Sequence, residues 1–325
     1  MRAKYLVTGG TGFLGSALVR RLVHEGRSVR VLDNNWRGSS SRLADISQHI
    51  ELVEGDIRDA EIVRRAVAGV DSVCHLASVN GTRYFYTHPD LVLDVGVRGI
   101  VNVVEACVQS EVPELVIASS SEVYQTPPRV PTDEKVPLVI PDPRNPRYSY
   151  ATTKILNEVM ALNYGQRHFE RTLIFRPHNV YGPGMGWEHV IPEFTLRMVD
   201  LEQQRDPVMF PIQGSGSETR AFVYVDDFID GLMCVLDRGE HLETYNIGTS
   251  EEVGIAELAR MIGRCFGREI HIVPGAPAEG GTARRVADIS KLRALGYDPT
   301  WPLRDGLPRV VQWYRAHSSE RARAA

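Results

Sequence analysis

Cysteine is scarce in this chain, and long apolar runs are missing from it. Only four of the 325 residues are cysteine, and no two of them form a C-x-x-C pair. This scarcity argues against a disulfide framework and a cysteine-based zinc site, and we expect no metal. No stretch reaches the roughly 18 apolar residues that cross a bilayer. The chain also begins almost directly with a predicted strand, Lys4–Thr8, in place of a leader, so we expect a cytoplasmic protein without a membrane partner.

An excess of basic residues is missing as well. The 37 lysines and arginines are outnumbered by 41 aspartates and glutamates, which gives a formal charge of −4. A nucleic-acid surface normally needs concentrated positive charge, so we expect small-molecule ligands and no nucleic acid.

Short β-branched runs alternate with amphipathic stretches in the first half of the chain. Strands are predicted at residues 4–8, 28–33, 53–54, 72–76, 115–118 and 172–175, and helices at 12–25, 59–68, 91–109 and 150–164. This alternation predicts an α/β fold with a doubly wound parallel sheet. After residue 176 proline and glycine become frequent, including a loop at 274–281, and this change indicates a smaller C-terminal substrate-binding lid.

Three glycines stand between the first predicted strand and the first predicted helix. Gly9, Gly12 and Gly15 belong to the sequence GGTGFLG, with Phe13 and Leu14 in the first turn of the helix. Glycine is needed where backbone amides approach a pyrophosphate, because a Cβ would block the approach. The alternative is a glycine-rich turn without a ligand. The strand–glycine–helix context favours a dinucleotide-binding Rossmann domain.

Asp33 ends the second predicted strand, where an acid can accept hydrogen bonds from both hydroxyls of an adenosine ribose. Its charge would repel a 2′-phosphate, so NAD is predicted as the cofactor in place of NADP. Arg37 is close enough to weaken this preference, although a solvated arginine is the simpler interpretation. Asp56 follows the third strand and could either contact the adenine amino group or cap the next helix.

Tyr150 and Lys154 are four residues apart at the start of a predicted helix, so both side chains share one face. A lysine near the phenol is expected to stabilise the phenolate and lower its pKa. The tyrosinate could then take a proton from a sugar hydroxyl. Ser120 follows a predicted strand, at the edge where open α/β sheets bind their ligands.

Together these motifs resemble the extended short-chain dehydrogenase/reductase family of nucleotide-sugar epimerases, dehydratases and decarboxylases. The resemblance extends to about Trp313 and rests on GGTGFLG, Asp33, HLAS (75–78), SSSEVY (119–124), YATTK (150–154), RPHNVYGP (176–183) and GSGSETRAFVYVDD (214–227). It implies a bound NAD that is reduced and reoxidised within one cycle, with a 4-keto sugar between the two steps. It also implies an NAD domain of residues 1–176 with 218–248 returning to it, and a nucleotide-sugar domain of residues 177–217 and 249–325.

The resemblance implies roles for the matched residues. Tyr150 is the base at the sugar C4 hydroxyl, Lys154 is its electrostatic partner, and Ser120 binds the C4 oxygen. Further NAD contacts are implied for Asn34, Ile57, Leu76, Ala77 and Ser78, and substrate contacts for Arg83, Asn179, Arg220 and Arg285. For each arginine the alternative is a surface ion pair. A homodimer is implied in which helices 91–109 and 150–164 form a four-helix contact.

Ser121 and Glu122 separate the reactions within the family. Dehydratases have an Asp-Glu pair there, and simple 4-epimerases have small or neutral residues. Ser-Glu, with Arg220 in a T-R-A-F context, resembles UDP-glucuronate decarboxylases, and decarboxylation is our first expectation. Three features depart from those decarboxylases, namely YATTK in place of Y-x-x-G-K, Gln125 in place of glycine, and the unfamiliar segment 184–189. The alternatives are therefore 4-epimerisation, then dehydration, and then a non-catalytic NAD-binding sensor.

The segment 187–189 carries a tryptophan, a glutamate and a histidine in a row. Glu188 and His189 could form an extra acid/base pair over the sugar, or belong to a loop that simply packs Trp187. His75 and His178 are interpreted as hydrogen-bonded scaffold.

Overall fold

The computed structural model describes residues 3–276 and 282–321, so most of the predicted loop at 274–281 lies outside the described residues. Its strands are β1 (Lys4–Thr8), β2 (Ser28–Asp33), β3 (Ile50–Glu54), β4 (Ser72–His75), β5 (Glu114–Ala118), β6 (Arg171–Pro177), β7 (Val180–Tyr181), β8 (Val208–Ile212), β9 (Thr219–Ala221), β10 (Val223–Tyr224), β11 (Glu243–Ile247), β12 (Glu252–Gly254), β13 (Ile270–Pro274) and β14 (Arg284–Arg285). Its α-helices are α1 (Phe13–His24), α2 (Ala60–Val67), α3 (Thr82–Thr87), α4 (Pro89–Gln109), α5 (Ser149–His168), α6 (Val190–Asp200), α7 (Val225–Arg238), α8 (Ile255–Cys265), α9 (Ser290–Ala294) and α10 (Leu303–Ala316). None of the helices within the described ranges combines the length and the apolar character needed to cross a membrane.

Seven parallel strands form the central sheet of the described chain, in the order β11-β6-β5-β4-β1-β2-β3. The chain proceeds from β1 to β2 and β3 in one direction, and then from β4 through β5 and β6 to β11 in the other. The predicted doubly wound parallel sheet is confirmed. A reversal of this kind opens a crevice at the carboxyl ends of the strands on either side of it, here β1 and β4.

Side chains that alternate along the strands enter two separate cores. Val7 and Val31 pack with α1 and α7 on one face, whereas Leu6 and Leu32 pack with α2, α4 and α5 on the other. Apolar burial on both faces stabilises the sheet by about 25 cal/mol per Å² removed from water. With both faces covered, the carboxyl edge is left for ligands.

The chain after β6 builds a further layer beside that edge. Within it α6, α8 and α10 pack against one another, and β8 pairs with β13. β11 leaves this layer and joins the central sheet beside β6.

Candidate active site

A cleft of about 440 Å³ opens at the carboxyl edge of the sheet. It runs from the glycine-rich turn after β1, past the ends of β2 and β4, to the loop after β5. The residues predicted for NAD binding and for catalysis all line it: Gly9, Gly12, Phe13, Leu14, Gly15, Asp33, Asn34, Asp56, Ile57, Leu76, Ala77, Ser78, Ser120, Ser121, Glu122, Tyr150 and Lys154. The fold thus brings together motifs that are far apart in the sequence.

The glycine-rich turn has no room for side chains. A Cβ on Gly9 would lie 2.8 Å from the backbone of Ala77, and a Cβ on Gly15 would collide with the carbonyl oxygen of Gly9. Gly12 precedes α1 and supplies no side-chain cap, so the first N–H groups of the helix stay available at the cleft. Such N–H groups bind phosphate, and the turn therefore fits the pyrophosphate of a dinucleotide.

Asp33 is held in place at the end of β2. Its Oδ2 accepts a hydrogen bond from the backbone N–H of Thr11 at 3.0 Å, and its Oδ1 accepts one from Asn35 at 2.9 Å. Each carboxylate oxygen can still accept a second hydrogen bond. The buried acid therefore fits the hydroxyls of an adenosine ribose, as NAD requires.

Asp56 is engaged by its neighbours in the cleft. Nη2 of Arg58 donates to Oδ2 of Asp56 at 2.8 Å, and Nδ2 of Asn34 donates to the same oxygen at 2.9 Å. Hydrogen bonding from Arg58 holds the pKa of Asp56 at about 2. The interpretation of Asp56 as a helix cap is wrong, because Asp59 caps α2 by accepting two backbone hydrogen bonds.

Tyr150 and Lys154 lie in the first two turns of α5, and both are buried. Burial raises the pKa of Tyr150 to about 12, and hydrogen bonds with Ser120 and Ser78 offset only part of this rise. The expected lowering by Lys154 is not found. Nζ of Lys154 donates to the carbonyl oxygen of Ala118 and lies 5.6 Å from the centre of the Tyr150 ring. Burial also lowers the pKa of Lys154, to about 8.

A buried polar network lies behind this pair. Glu158 accepts hydrogen bonds from Nε and Nη2 of Arg176, at 2.8 and 2.6 Å, and another from the hydroxyl of Ser119. Arg176 also donates to the hydroxyl of Tyr124 at 2.6 Å. Charge-assisted bonds of this kind are strong, and they hold the loop that carries Ser120 against α5.

His75 and His178 are confirmed as hydrogen-bonded scaffold. Nδ1 of His75 pairs with the hydroxyl of Thr8 at 2.8 Å, and Nε2 of His178 pairs with Oδ1 of Asn246 at 3.0 Å. Burial lowers the pKa of each histidine to about 3, so both rings are neutral at physiological pH.

Glu122 forms an ion pair with Arg285 at the end of the cleft. Oε1 of Glu122 lies 2.5 Å from Nη1 of Arg285, and Oε2 lies 3.9 Å from Nη2 of Arg147. Burial opposes ionisation of Glu122, but the positive charges of Arg285, Arg147 and Arg220 outweigh it and lower the pKa. Glu122 is therefore a carboxylate at neutral pH.

The four residues implied in substrate binding fall in different places. Asn179 and Arg285 line the cleft. Arg220 is not part of the described lining and instead donates to the carbonyl oxygen of Thr282 at 2.7 Å. Arg83 is exposed on α3, and within the described residues it does not line the cleft. The structure therefore brings two of the four to the cleft.

Arg37 and Glu188 join two walls of the cleft. Nη2 of Arg37 lies 3.2 Å from Oε2 of Glu188, and the guanidinium stacks 4.8 Å from the ring centre of Tyr84. The interpretation of Arg37 as a solvated side chain is wrong, because its guanidinium is engaged in this ion pair with Glu188. A guanidinium neutralised by a glutamate is poorly placed to bind a 2′-phosphate, which agrees with NAD as the cofactor.

Trp187 packs in the loop that carries Glu188. Its ring centre lies 6.2 Å from that of Trp313 and 5.2 Å from that of Tyr314, both on α10. The packing interpretation of this loop is therefore confirmed for Trp187. His189 lines the cleft beside the loop, and burial lowers its pKa.

Sequence reasoning missed two arginines of the site. Arg42 lines the cleft, and its Nη2 donates to the carbonyl oxygen of Gly184 at 2.8 Å. Arg147 approaches Glu122 from the turn before α5. The sequence offered one signal for Arg147, namely its position three residues before Tyr150. Arg144 lies in the same loop and is exposed, and the sequence alone does not distinguish the two arginines.

The fold and the cleft define a dinucleotide-binding protein, and comparison with known proteins identifies its family. A model of the NAD dependent epimerase/dehydratase family matches residues 5–248, and the chain belongs to that family. The family and its relatives are enzymes that act on nucleotide sugars, and NAD is the cofactor.

Three similar proteins illustrate the range of activities. A dTDP-4-dehydro-6-deoxy-D-allose reductase from a Streptomyces species is 32% identical over 96% of both chains. A UDP-N-acetyl-alpha-D-glucosaminuronate decarboxylase from Bacillus cytotoxicus is 29% identical over 97% of this chain and 98% of its own. The structure of a double mutant of dTDP-glucose 4,6-dehydratase from Streptomyces venezuelae, solved with NAD bound, is 30% identical, with a TM-score of 0.86 and full coverage of both chains.

Proposed function

We propose that the protein decarboxylates a nucleotide-linked uronic acid of the UDP-glucuronate type through transient oxidation at C4. The observation that carries this proposal is the ion pair of Glu122 and Arg285, which share the cleft with Ser120 and Tyr150. A half-buried guanidinium suits a substrate carboxylate, because it can bind one through two parallel hydrogen bonds. Similarity to the Bacillus cytotoxicus decarboxylase over nearly the whole chain supports the same reaction.

In this proposal each part of the cleft has its own task. Residues 1–176 with 218–248 hold NAD, and residues 177–217 with 249–325 hold the nucleotide sugar. The glycine-rich turn binds the pyrophosphate and Asp33 binds the adenosine ribose. NAD held there would supply the hydride acceptor for oxidation of C4 and the hydride donor for the later reduction.

The side chains around C4 handle protons. Tyr150 takes the proton of the C4 hydroxyl, Ser120 hydrogen-bonds the C4 oxygen, and the charge of Lys154 stabilises the tyrosinate. The resulting C4 ketone is β to the C6 carboxylate. Carbon dioxide can therefore leave while the electron pair of the broken bond forms an enolate between C4 and C5. Glu122 then passes a proton taken from solvent water to C5, which restores the C4 ketone. Tyr150 returns its own proton to the C4 oxygen when the ketone is reduced.

Epimerisation at C4 is the second candidate. Glu122 is already bound to Arg285 at 2.5 Å, as a purely structural carboxylate would be. With NAD as the hydride carrier, Ser120, Tyr150 and Lys154 would support oxidation and reduction of C4, and an epimerase needs in addition only that the keto sugar turns its other face to the cofactor.

Product mass separates the candidates. The purified protein would be incubated with UDP-, GDP-, dTDP- and CDP-linked sugars, glucuronate included, and the products analysed by mass spectrometry. We expect loss of carbon dioxide from a uronic acid. Loss of water, or conversion of a neutral sugar at unchanged mass, would replace decarboxylation with dehydration or epimerisation.

A further inference from the structure

Five charged side chains from four segments of the chain interact electrostatically around Glu122, at one end of the cleft. They are Glu122, Arg147, Glu218, Arg220 and Arg285. Three positive and two negative charges leave one positive charge in excess. Without Arg147 the cluster would be neutral.

The other two arginines already have partners. Nη1 of Arg285 binds Glu122 and its Nη2 donates to the hydroxyl of Thr282 at 3.1 Å. Arg220 donates to the carbonyl oxygens of Thr219 and Thr282, both at 2.7 Å. Their charges are therefore held in fixed positions by the surrounding chain.

Arg147 is different. Nη2 of Arg147 lies 3.9 Å from Oε2 of Glu122, which is beyond hydrogen-bond distance. Its Nε is buried without a hydrogen-bond partner among the described residues, and the side chain is only 13% exposed. Burying a guanidinium with unsatisfied donors costs free energy, so its presence calls for an explanation in the site.

The backbone fixes Arg147 close to the reacting groups. Oδ1 of Asn145 accepts a hydrogen bond from the backbone N–H of Arg147 at 3.0 Å. This caps the short turn Pro146–Tyr148, which leads directly into α5 and Tyr150. The backbone from which the Arg147 side chain extends is thereby held in place three residues before Tyr150.

We infer that Arg147 is a positioning residue that makes this site select a nucleotide sugar carrying a carboxylate over the neutral sugar of the same shape. It does not line the described part of the cleft and acts through Glu122, whose negative charge it balances. A substrate carboxylate that approaches Arg285 therefore meets a net positive charge, which would be absent without Arg147. Charges in a partly buried site interact over several ångströms, so contact with the substrate is unnecessary. The inference rests on the proposed function.

The test compares affinities for UDP-glucuronate and UDP-glucose by calorimetry, on NAD-loaded protein in a Tyr150→Phe background that blocks turnover. We expect Arg147→Met and Arg147→Gln to lose at least about tenfold of the preference for the acid, through weaker binding of the acid alone. Arg147→Lys should recover most of the preference, because it restores the charge. The matched control is Arg144→Met, since the side chain of Arg144 in the same loop is 91% exposed and pairs with Asp142.

UDP-glucose binding reports in each variant whether the site is folded. A neutral variant that binds UDP-glucose normally and keeps the full preference for the acid would overturn the inference. If both neutral variants fail to bind UDP-glucose, the inference is tested with Arg147→Lys alone. Loss of the preference for the acid in Arg147→Lys, despite the retained charge, would refute the inference. If the parent protein itself binds the two sugars equally, the proposed function is wrong, and the inference that rests on it is withdrawn.

Discussion

Lys154 donates a hydrogen bond to the carbonyl oxygen of Ala118 at 2.8 Å, and so joins α5 to the last residue of β5. The strand that leads to Ser120 and the helix that carries Tyr150 are thereby held together. The ammonium group lies 5.6 Å from the centre of the Tyr150 ring. Because the pKa of Lys154 is about 8, its charge is present below that pH and is lost above it.

Lys154→Met removes this charge, and the tyrosinate that forms during the proposed reaction then loses its nearest positive charge. Activity needs a deprotonated tyrosine, so kcat/KM should rise with pH in both proteins. The loss in the variant should be at least about tenfold near pH 7 and should shrink above pH 8, where Lys154 of the parent protein loses its own charge. A pH–rate profile checks this, with Tyr150→Phe as the inactive reference. Superimposable profiles for Lys154→Met and the parent would contradict the assigned role of the lysine.

Asp33→Ala should weaken NAD binding by at least about tenfold and reduce the preference of the protein for NAD over NADP. The ribose loses its hydrogen-bond acceptor, and a charge that repels the 2′-phosphate disappears. Asp33→Asn keeps one of the two acceptor oxygens, and with it the hydrogen bond from either Thr11 or Asn35, and serves as the conservative comparison for damage to the loop. Calorimetry measures both cofactors, and equal binding of NAD and NADP by the unaltered protein would remove the basis for this prediction.

Glu122→Gln should separate the two halves of the reaction. C4 oxidation, followed as NADH absorbance in a single turnover, should survive, because Ser120, Tyr150 and Lys154 are intact. The later step at C5 should slow by at least about tenfold, the range for loss of an acid–base group. An unchanged overall rate would make Glu122 structural and favour the 4-epimerase candidate.

We expect a homodimer that buries the outer faces of α4 and α5. Leu93 on α4 is 39% exposed and Val159 on α5 is 51% exposed. Val159→Glu should place a charge in the contact and yield monomers, whereas Leu52→Glu on the outer strand β3 should not. Light scattering at micromolar concentration measures the mass. A monomeric parent protein would refute the expectation.

Much of the fold was predictable because its signals are local. The alternation of strands and helices and the glycine-rich turn can be seen within short windows of sequence, and they placed Asp33, Ser120 and Tyr150 at one edge. α3 was missed because it is only six residues long and follows Gly81, which has a φ of +135° and offers no capping side chain.

The electrostatics of the site could not be predicted in the same way. Arg37 and Glu188 are 151 residues apart, and no local pattern shows that they meet. The pKa of Tyr150 depends on burial by the folded chain, so the expectation of a lowered value was wrong. Arg147 became distinguishable from Arg144 only when their exposure was known.

The position of β11 in the sheet has a consequence for how the protein is made. A ribosome that has released residues 1–177 has delivered six strands of the sheet, yet β6 still lacks the neighbour that begins at Glu243. Until that segment emerges, β6 presents an unpaired row of backbone N–H and C=O groups, and such edges promote aggregation. Between the synthesis of β6 and that of β11 the nascent chain therefore has an exposed strand edge that can pair wrongly. Chaperone binding would protect the chain most during this interval.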